Sequence, residues 1–387
     1  MTKRRVPKAS RGDAAGSDRL LRSLLEQARK AALKSAPKKH HLIPASYLRR
    51  WQEGRNIRVT WVDEGRSYLN SPENAARETD YYLLASPDVD PETVPPLLFE
   101  VMLGEVEQWA KAVIDKIISS GLASISMRER VELAWFLAFQ VTRGHRFRVR
   151  QREMANDLMV LQYGDLTPEG ARHLLKERKL AVTDSAVEEA VEASRQLRDG
   201  EIFVSPQDVA IVASSGEMAL VIGEHLVGRN WQVYDSIPNL VTCDEPVVPI
   251  GGPGASREEW VGYQAAGAVI FPLSPSKLLV MFREDLTPMV DSRLSREETV
   301  EVNREIISAA SRWAFERPVK HVTERLRVPP VPSPMVVRDG PYWSDGDGRK
   351  AIFRTYSPTR WQKGLAPPWP VARWWERPVL RTAQSSR

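Results

Sequence analysis

The chain has 387 residues, with 55 Lys and Arg against 50 Asp and Glu, and it contains one cysteine, Cys243. A single cysteine excludes an intramolecular disulfide framework and a zinc site built from cysteines, and it favours a reducing compartment. No uninterrupted apolar run approaches the ~20 residues that a membrane span needs. We therefore expect a cytoplasmic protein that does not contact a membrane.

Three segments of different composition divide the chain. Residues 1–37 are basic, and we predict a partly disordered arm there, with disorder up to about residue 17 and one short helix from Asp18 to the residues before Pro37. Residues 38–318 have the composition of a folded core domain. Residues 319–387 are rich in proline, tryptophan and arginine and form a C-terminal extension.

Hydrophobic periodicity in the core predicts an α+β fold that is mainly helical, with a small and mostly antiparallel sheet. Ser126 and Glu129 form a capping box, which starts a helix that is apolar on nearly every side as far as Val141. The predicted helices are 97–118, 126–141, 168–178, 185–198, 206–227 and a last one from Ser295 to just before Pro318; the predicted strands are 57–62, 67–69, 231–234, 239–243, 268–272 and 277–282.

Two adjacent histidines, His40 and His41, stand at the start of the core. An imidazole titrates near neutral pH and is the commonest metal ligand, so the pair is a candidate for acid–base or metal chemistry. On a strand, neighbouring residues face opposite ways, and only one of the two would enter a given site. The alternative is that both rings are satisfied by backbone groups or carboxylates.

A polar edge follows the buried helix, with Gln140, Arg143 and Arg146. Continuation of the helix would place Gln140, Arg143 and Phe147 on one side, where guanidinium groups pair well with phosphate or carboxylate oxygens. Alternatively, Gln140 bonds a loop carbonyl and the arginines form a solvated face. Solvated positions are also expected for two glutamates of helix 97–118, Glu100 and Glu107.

Asp244 and Glu245 occupy a turn that follows a predicted strand. A carboxylate held at a strand end suits metal binding or acid–base chemistry, although a turn-forming aspartate is equally ordinary. The order of these motifs resembles the mainly bacterial family called domain of unknown function four-two-three-eight. The motifs are His40-His41-Leu42-Ile43-Pro44 with Tyr47-Leu48-Arg49, then Gln140 and Arg143, then Thr242-Cys243-Asp244-Glu245-Pro246, Phe271-Pro272-Leu273-Ser274-Pro275 and Asn303.

The resemblance runs from Lys38 to Pro318, and it implies a shared fold and a shared site rather than an activity. The chain departs from the family pattern at Glu245, where asparagine is usual, and at Cys243, where serine is common. The string His-His-Leu-Ile-Pro is also similar to the catalytic strand of His-Asn-His nucleases, in which one histidine activates water and its neighbour helps to hold a divalent metal. That pattern needs a further Asn or His within a few tens of residues; Asn56, Asn70 and Asn74 are available, but no histidine follows before His145.

Together these features predict a metal-dependent phosphodiester hydrolase acting on nucleic acid. His40, His41 and Asp244 would be catalytic, His41 and Asp244 would hold a divalent metal, and Gln140, Arg143 and Arg146 would bind the anion. The competing prediction is a non-catalytic binding protein, in which these groups form a structural polar network and the basic arm docks nucleic acid or another partner. The tryptophans of the extension suit either base stacking or packing on the protein body.

Overall fold

A computed structural model of the chain describes residues 11–33, 39–286, 291–332, 335–339, 352–356, 359–361 and 366–376. Helices predominate and the strands form small antiparallel sheets, so the predicted α+β class is confirmed. The helices of these residues are α1 (Arg11–Leu33), α2 (Ala45–Leu48), α3 (Leu98–Ser120), α4 (Met127–Thr142), α5 (His145–Tyr163), α6 (Pro168–Glu177), α7 (Asp184–Asp199), α8 (Asp208–Gly228), α9 (Arg296–Ala309) and α10 (Val322–Arg325).

The strands form two four-stranded sheets and two isolated pairs within the described residues. One sheet has the order β5-β9-β8-β7, the other has the order β3-β2-β10-β6, and the pairs are β1-β4 and β11-β12. Their bounds are β1 (Lys39–His41), β2 (Ile57–Trp61), β3 (Arg66–Asn70), β4 (Arg77–Thr79), β5 (Asn230–Asp235), β6 (Thr242–Cys243), β7 (Val248–Ile250), β8 (Ala268–Ser274), β9 (Lys277–Phe282), β10 (Trp313–Glu316), β11 (Met335–Asp339) and β12 (Ile352–Tyr356).

Strand β8 shows why the sheet β5-β9-β8-β7 is apolar on both faces. Val269 and Phe271 pack into a core shared with α3, α4 and α8, whereas Ala268 and Ile270 pack into a second core with α9. Successive side chains of a strand point to opposite faces, so a strand covered on both sides is apolar at every position. All seven residues of β8 are buried accordingly.

Helix α4 begins with the predicted capping box. The backbone N–H of Glu129 donates to Oγ of Ser126, and the backbone N–H of Ser126 donates to Oε2 of Glu129 at 2.7 Å, which confirms this part of the sequence analysis. Helix α8, which packs along α4, is the one helix in the described ranges that is long and apolar enough to cross a membrane by length and composition.

Four predicted boundaries were wrong, and one of them is the start of the predicted strand 239–243, of which Thr242–Cys243 alone forms β6. Residues 11–17 belong to α1, while the predicted disorder of residues 1–10 lies outside the described residues. Helix α4 ends at Thr142 and α5 starts after Gly144, so Phe147 is on a different helix from Gln140. Helix α9 ends at Ala309, because residues 313–316 instead form the fully buried strand β10 between β2 and β6.

The described part of the C-terminal extension packs on the protein body. Trp374 is fully buried, with its ring 5.5 Å from the rings of both Tyr234 and Phe282. The buried guanidinium of Arg360 donates to Asp63 and to the carbonyls of Ala310 and Pro329. These tryptophan and arginine side chains therefore contribute to the core, as the packing interpretation predicts.

Candidate functional site

The two histidines of β1 face opposite ways, as the strand periodicity predicts. The ring of His40 is buried, and its Nδ1 lies 3.3 Å from Oε2 of Glu100 on α3. His41 turns instead toward the loop after β3, where its Nε2 lies 2.9 Å from the carbonyl oxygen of Glu73. Burial lowers the pKa of His41, so its ring is held largely neutral at neutral pH.

Arg143, the C-terminal cap of α4, is buried and pairs with the same helix α3. Its Nη1 lies 2.6 Å from Oε1 of Glu107. Burial lowers the pKa of this guanidinium, but the carboxylates of Glu107 and Glu100 and the neighbouring Tyr82 outweigh burial and raise it. Arg143 thus keeps its positive charge in a position with almost no access to water.

Glu100 and Glu107 are the residues that sequence reasoning missed, since both were expected to be solvated. Their side chains are 35% and 25% exposed, and each pairs with a buried partner. The available signal was their spacing of seven residues, which places two side chains on one face of a helix two turns apart. Nothing in the sequence indicated which buried cations or imidazoles that face would meet.

Several buried polar atoms at this site have no hydrogen-bond partner among the described residues. They are Nε and Nη2 of Arg143 and both side-chain amide atoms of Gln140, one turn earlier on α4. Buried polar groups are nearly always paired, so unpaired ones mark a place where water or a ligand completes the bonding. We refer to His40, Glu100, Glu107, Gln140 and Arg143 as the His–Glu–Arg site.

Tyr82 ties the two halves of this site together. Its hydroxyl is placed to donate to either of two carbonyl oxygens, that of Arg143 at 3.4 Å or that of His41 at 3.5 Å. Burial raises the pKa of Tyr82 far above neutrality, so the group remains a neutral donor. The tyrosine therefore fixes the end of α4 against β1.

Asp244 has a different environment from the histidines. Its carboxylate is buried and accepts hydrogen bonds from the backbone N–H groups of Ser311, Arg312 and Trp313, at 2.9, 2.8 and 3.3 Å. Burial raises the pKa of Asp244 to about 6, against the opposing effect of these donors. The carboxylate holds the turn between α9 and β10.

Arg312 connects that turn to the histidine strand. Its guanidinium donates to Glu78 and lies 3.1 Å from Nε2 of His145. Glu78 is the cross-strand neighbour of His40. Burial, with the charges of Arg312 and two further arginines, lowers the pKa of His145 to about 4, so this ring is neutral. Asp244 is thus linked to His40 through Arg312 and Glu78.

Glu245 caps helix α5, whose N-cap is Gly144. Oε1 of Glu245 accepts from the backbone N–H of Arg146 at 2.9 Å and from Oγ of Ser311 at 3.1 Å. A Cβ atom on Gly144 would lie 2.4 Å from Oε2 of Glu245, so a side chain at residue 144 would displace the carboxylate. Burial raises the pKa of Glu245 to about 7.

Arg146, the third predicted anion-binding residue, is engaged elsewhere. Its Nη2 donates to the carbonyl of Ala309 at 2.7 Å, and its guanidinium stacks 3.8 Å from the ring centre of Trp260. The structure therefore brings Gln140 and Arg143 together on α4 and places Arg146 beside Glu245.

The predicted metal ligands already have hydrogen-bond partners. Nε2 of His41 is bonded to Glu73, and both oxygens of Asp244 accept backbone N–H groups. Across the described ranges, no group of three or more His, Cys, Asp or Glu side chains is arranged to hold a metal ion. The His41 and Asp244 donor set does not fit a divalent cation, and we derive no step through one.

Comparison with known proteins places the chain in a family. The model of the family described as protein of unknown function (DUF4238) matches residues 39–320, which include the whole His–Glu–Arg site. No curated protein and no solved structure gives a significant match. Because the matched segment covers well over half of the chain, this protein belongs to the DUF4238 family.

Proposed function

We propose that the protein is a hydrolase of anionic esters, with phosphodiesters as the first candidate substrates, and that the His–Glu–Arg site performs the reaction. The observation that carries this proposal is that Nε and Nη2 of Arg143 and the amide of Gln140 have no hydrogen-bond partner among the described residues, while Glu100, the partner of His40, acts on the charge of Arg143. A hydrolytic site needs an anion-binding group and a general base in the same place. These residues supply both.

The anion would bind to Arg143 and Gln140. Nη1 of Arg143 is held by Glu107, which leaves Nε and Nη2 as two adjacent donors in the fork geometry that phosphate oxygens accept. The amide NH₂ of Gln140, one helical turn away, adds a third donor group. Both residues are almost fully buried, so binding of the anion requires that neighbouring side chains move aside. Bonds formed there are stronger than the same bonds in water.

Glu100 would be the general base, because it is the member of the His40–Glu100 pair that reaches solvent. Its carboxylate takes a proton from the attacking water as the new P–O bond forms. The bond to the leaving alcohol then breaks, and the alkoxide takes a proton from solvent. With a proton on Nδ1, His40 would donate to Glu100 and position it, in place of the bond that Nδ1 accepts from the N–H of Tyr82. His41 supports the strand through its bond to Glu73.

A hydrolysis assay tests the proposal. The purified full chain is mixed with bis(p-nitrophenyl) phosphate, plasmid DNA and RNA, in Mg²⁺, Mn²⁺, Zn²⁺ or EDTA. We expect cleavage by the wild type, loss of cleavage in His40→Ala, and unchanged cleavage in His173→Ala, an exposed histidine that pairs with Glu177 on its own helix. Absence of cleavage of all three substrates by a folded wild type contradicts the proposal.

A non-catalytic binding function is the second candidate, and the position of Asp244 favours it. The carboxylate of Asp244 accepts hydrogen bonds from backbone N–H groups. The amide of Asn303 also bonds to the backbone: it accepts from the N–H of Val241 at 2.9 Å and donates to the carbonyl of Asn239 at 3.0 Å. Family motif residues used in this way stabilise a scaffold. A gel shift with RNA and DNA that weakens steeply with salt, without cleavage, would support this function.

A further inference from the structure

We propose that a second site, a cavity between α5, α8 and residues 245–263, binds an amphipathic monocarboxylate, that is, a small acid with an apolar body. The cavity has a volume of about 350 Å³, within the range of small-molecule pockets. None of the five residues of the His–Glu–Arg site lines it. The inference is therefore independent of the proposed hydrolysis.

The lining of the cavity indicates that the body of the ligand is apolar. Most of the side chains are aliphatic, thioether or aromatic, among them Met154, Met218, Ile222, Val247, Trp260 and Tyr263. Met154 and Met218 are 45% and 39% exposed, an unusual state for large apolar groups beside a cavity. Methionine side chains adapt to the shape of an apolar ligand, and such a ligand would cover both of them.

The head group is indicated by Arg150, which also lines the cavity. Three other arginines of α5 donate hydrogen bonds within the protein: Arg146 to Ala309, Arg148 to Tyr81, and Arg152 to Asp208. Within the described ranges, no carboxylate forms an ion pair with Arg150. A guanidinium at the edge of an apolar cavity is suited to bidentate pairing with a carboxylate.

The two acidic groups of the cavity, Glu153 and Glu245, attract a cationic ligand less strongly than exposed carboxylates would. Glu245 is already bonded to the N-terminus of α5 and to Ser311, and it lies in the field of Arg146. Burial raises the pKa of Glu153 as well, so both acids give up negative charge more readily than exposed carboxylates do. Arg146 and Arg150 line the cavity beside these two acids, and their guanidinium groups favour an anionic head group.

Isothermal titration of the full chain with three ligands of the same chain length tests this inference. The ligands are octanoate, 1-octanol and octylamine, which differ only in the charge of the head group. We expect octanoate to bind at least tenfold more tightly than the other two. Tightest binding of octylamine, or no binding of octanoate, would overturn the proposal.

Variants separate the head-group contact from the apolar lining. Arg150→Ala should weaken octanoate binding at least tenfold and leave octanol binding unchanged, whereas Met218→Trp should fill the cavity and weaken both. Arg128→Ala, at a side chain that is 89% exposed and outside the lining, is the control and should bind as the wild type does. Glu100→Gln should retain octanoate binding, so failure of the hydrolysis assay does not affect this test. Equal binding by Arg150→Ala and the wild type contradicts the proposed head-group site.

Discussion

Nδ1 of His40 lies 3.3 Å from Oε2 of Glu100 and 3.3 Å from the backbone N of Tyr82. A ring nitrogen can donate to the carboxylate or accept from the backbone N–H, but it cannot do both at once. In the structure Nδ1 accepts from the N–H of Tyr82, and donation to Glu100 would require a proton on Nδ1 in place of that bond. Only the state that donates to Glu100 holds this carboxylate as a base.

Replacing Glu100 with glutamine should remove the base and preserve the side-chain shape. We expect the rate of phosphodiester hydrolysis to fall by about 10²–10⁴, the usual contribution of a general base. Thermal unfolding should change little, because the side chain is 35% exposed. Kinetics on bis(p-nitrophenyl) phosphate with a parallel melting curve measure both quantities. Full activity in the variant would exclude Glu100 as the base.

Replacing Glu107 with alanine should destabilise the protein. The change leaves the guanidinium of Arg143, which is 2% exposed, without its carboxylate. Breaking a buried ion pair from one side typically costs ~3–5 kcal/mol, and we expect about 3 kcal/mol because Glu107 itself is partly exposed. Urea unfolding measures the loss. Gln108→Ala, at the exposed neighbouring position, should be close to neutral.

Replacing Asp244 with asparagine should cost about 1–3 kcal/mol, because the amide NH₂ cannot accept the backbone N–H groups of residues 311–313. The free energy of unfolding in urea measures this cost. Asp235→Asn, which removes a partly exposed pair with Lys277, is the matched control and should cost less than about 1 kcal/mol. Equal losses in both variants would contradict the structural role given to Asp244.

The stability of the protein should depend on pH through Glu245. Burial raises the pKa of this carboxyl from its ordinary value of 4.5 to about 7, despite the opposing effect of Arg146. The folded state therefore holds the proton more tightly than the unfolded state, and the contribution of Glu245 is complete below its unfolded pKa and lost as pH rises through 7.

Glu245→Gln isolates this contribution, because glutamine keeps an acceptor oxygen for Arg146 but does not titrate. We expect the wild type to lose stability relative to the variant between pH 5 and pH 8. The charged or titratable groups around Glu245 include Asp244, Arg146, Cys243, Tyr81 and Tyr263, and they are the same in both proteins. A constant difference between the two melting temperatures across this range would contradict the assignment.

Replacing Trp374 with alanine should show that the C-terminal extension belongs to the fold. The ring is fully buried between Tyr234 and Phe282, and removing a buried tryptophan costs ~3–5 kcal/mol. Chemical unfolding of the full chain measures this loss. Val331→Ala, at a side chain of the same extension that is 46% exposed, should have little effect.

Local patterns in the sequence were sufficient for most elements. Ser126 and Glu129 predicted the start of α4 because a capping box involves only residues three positions apart. The apolar runs of β8 and β9 predicted strands, because a strand that is covered on both faces is apolar at every position. The end of α9 was mispredicted, because the helix-compatible residues 313–316 gain more from pairing with β2 and β6 than from another helical turn.

The sequence by itself determined the α+β class, the family, the opposite facing of His40 and His41, and the cluster of polar residues at the end of α4. Only the tertiary structure decided their partners: Glu100 for His40, Glu107 for Arg143, and the backbone of residues 311–313 for Asp244. Hydrophobic packing sets these pairings, since it brings helix faces and turns together across tens of residues of chain. No local spacing encodes the distance between two side chains that meet in this way.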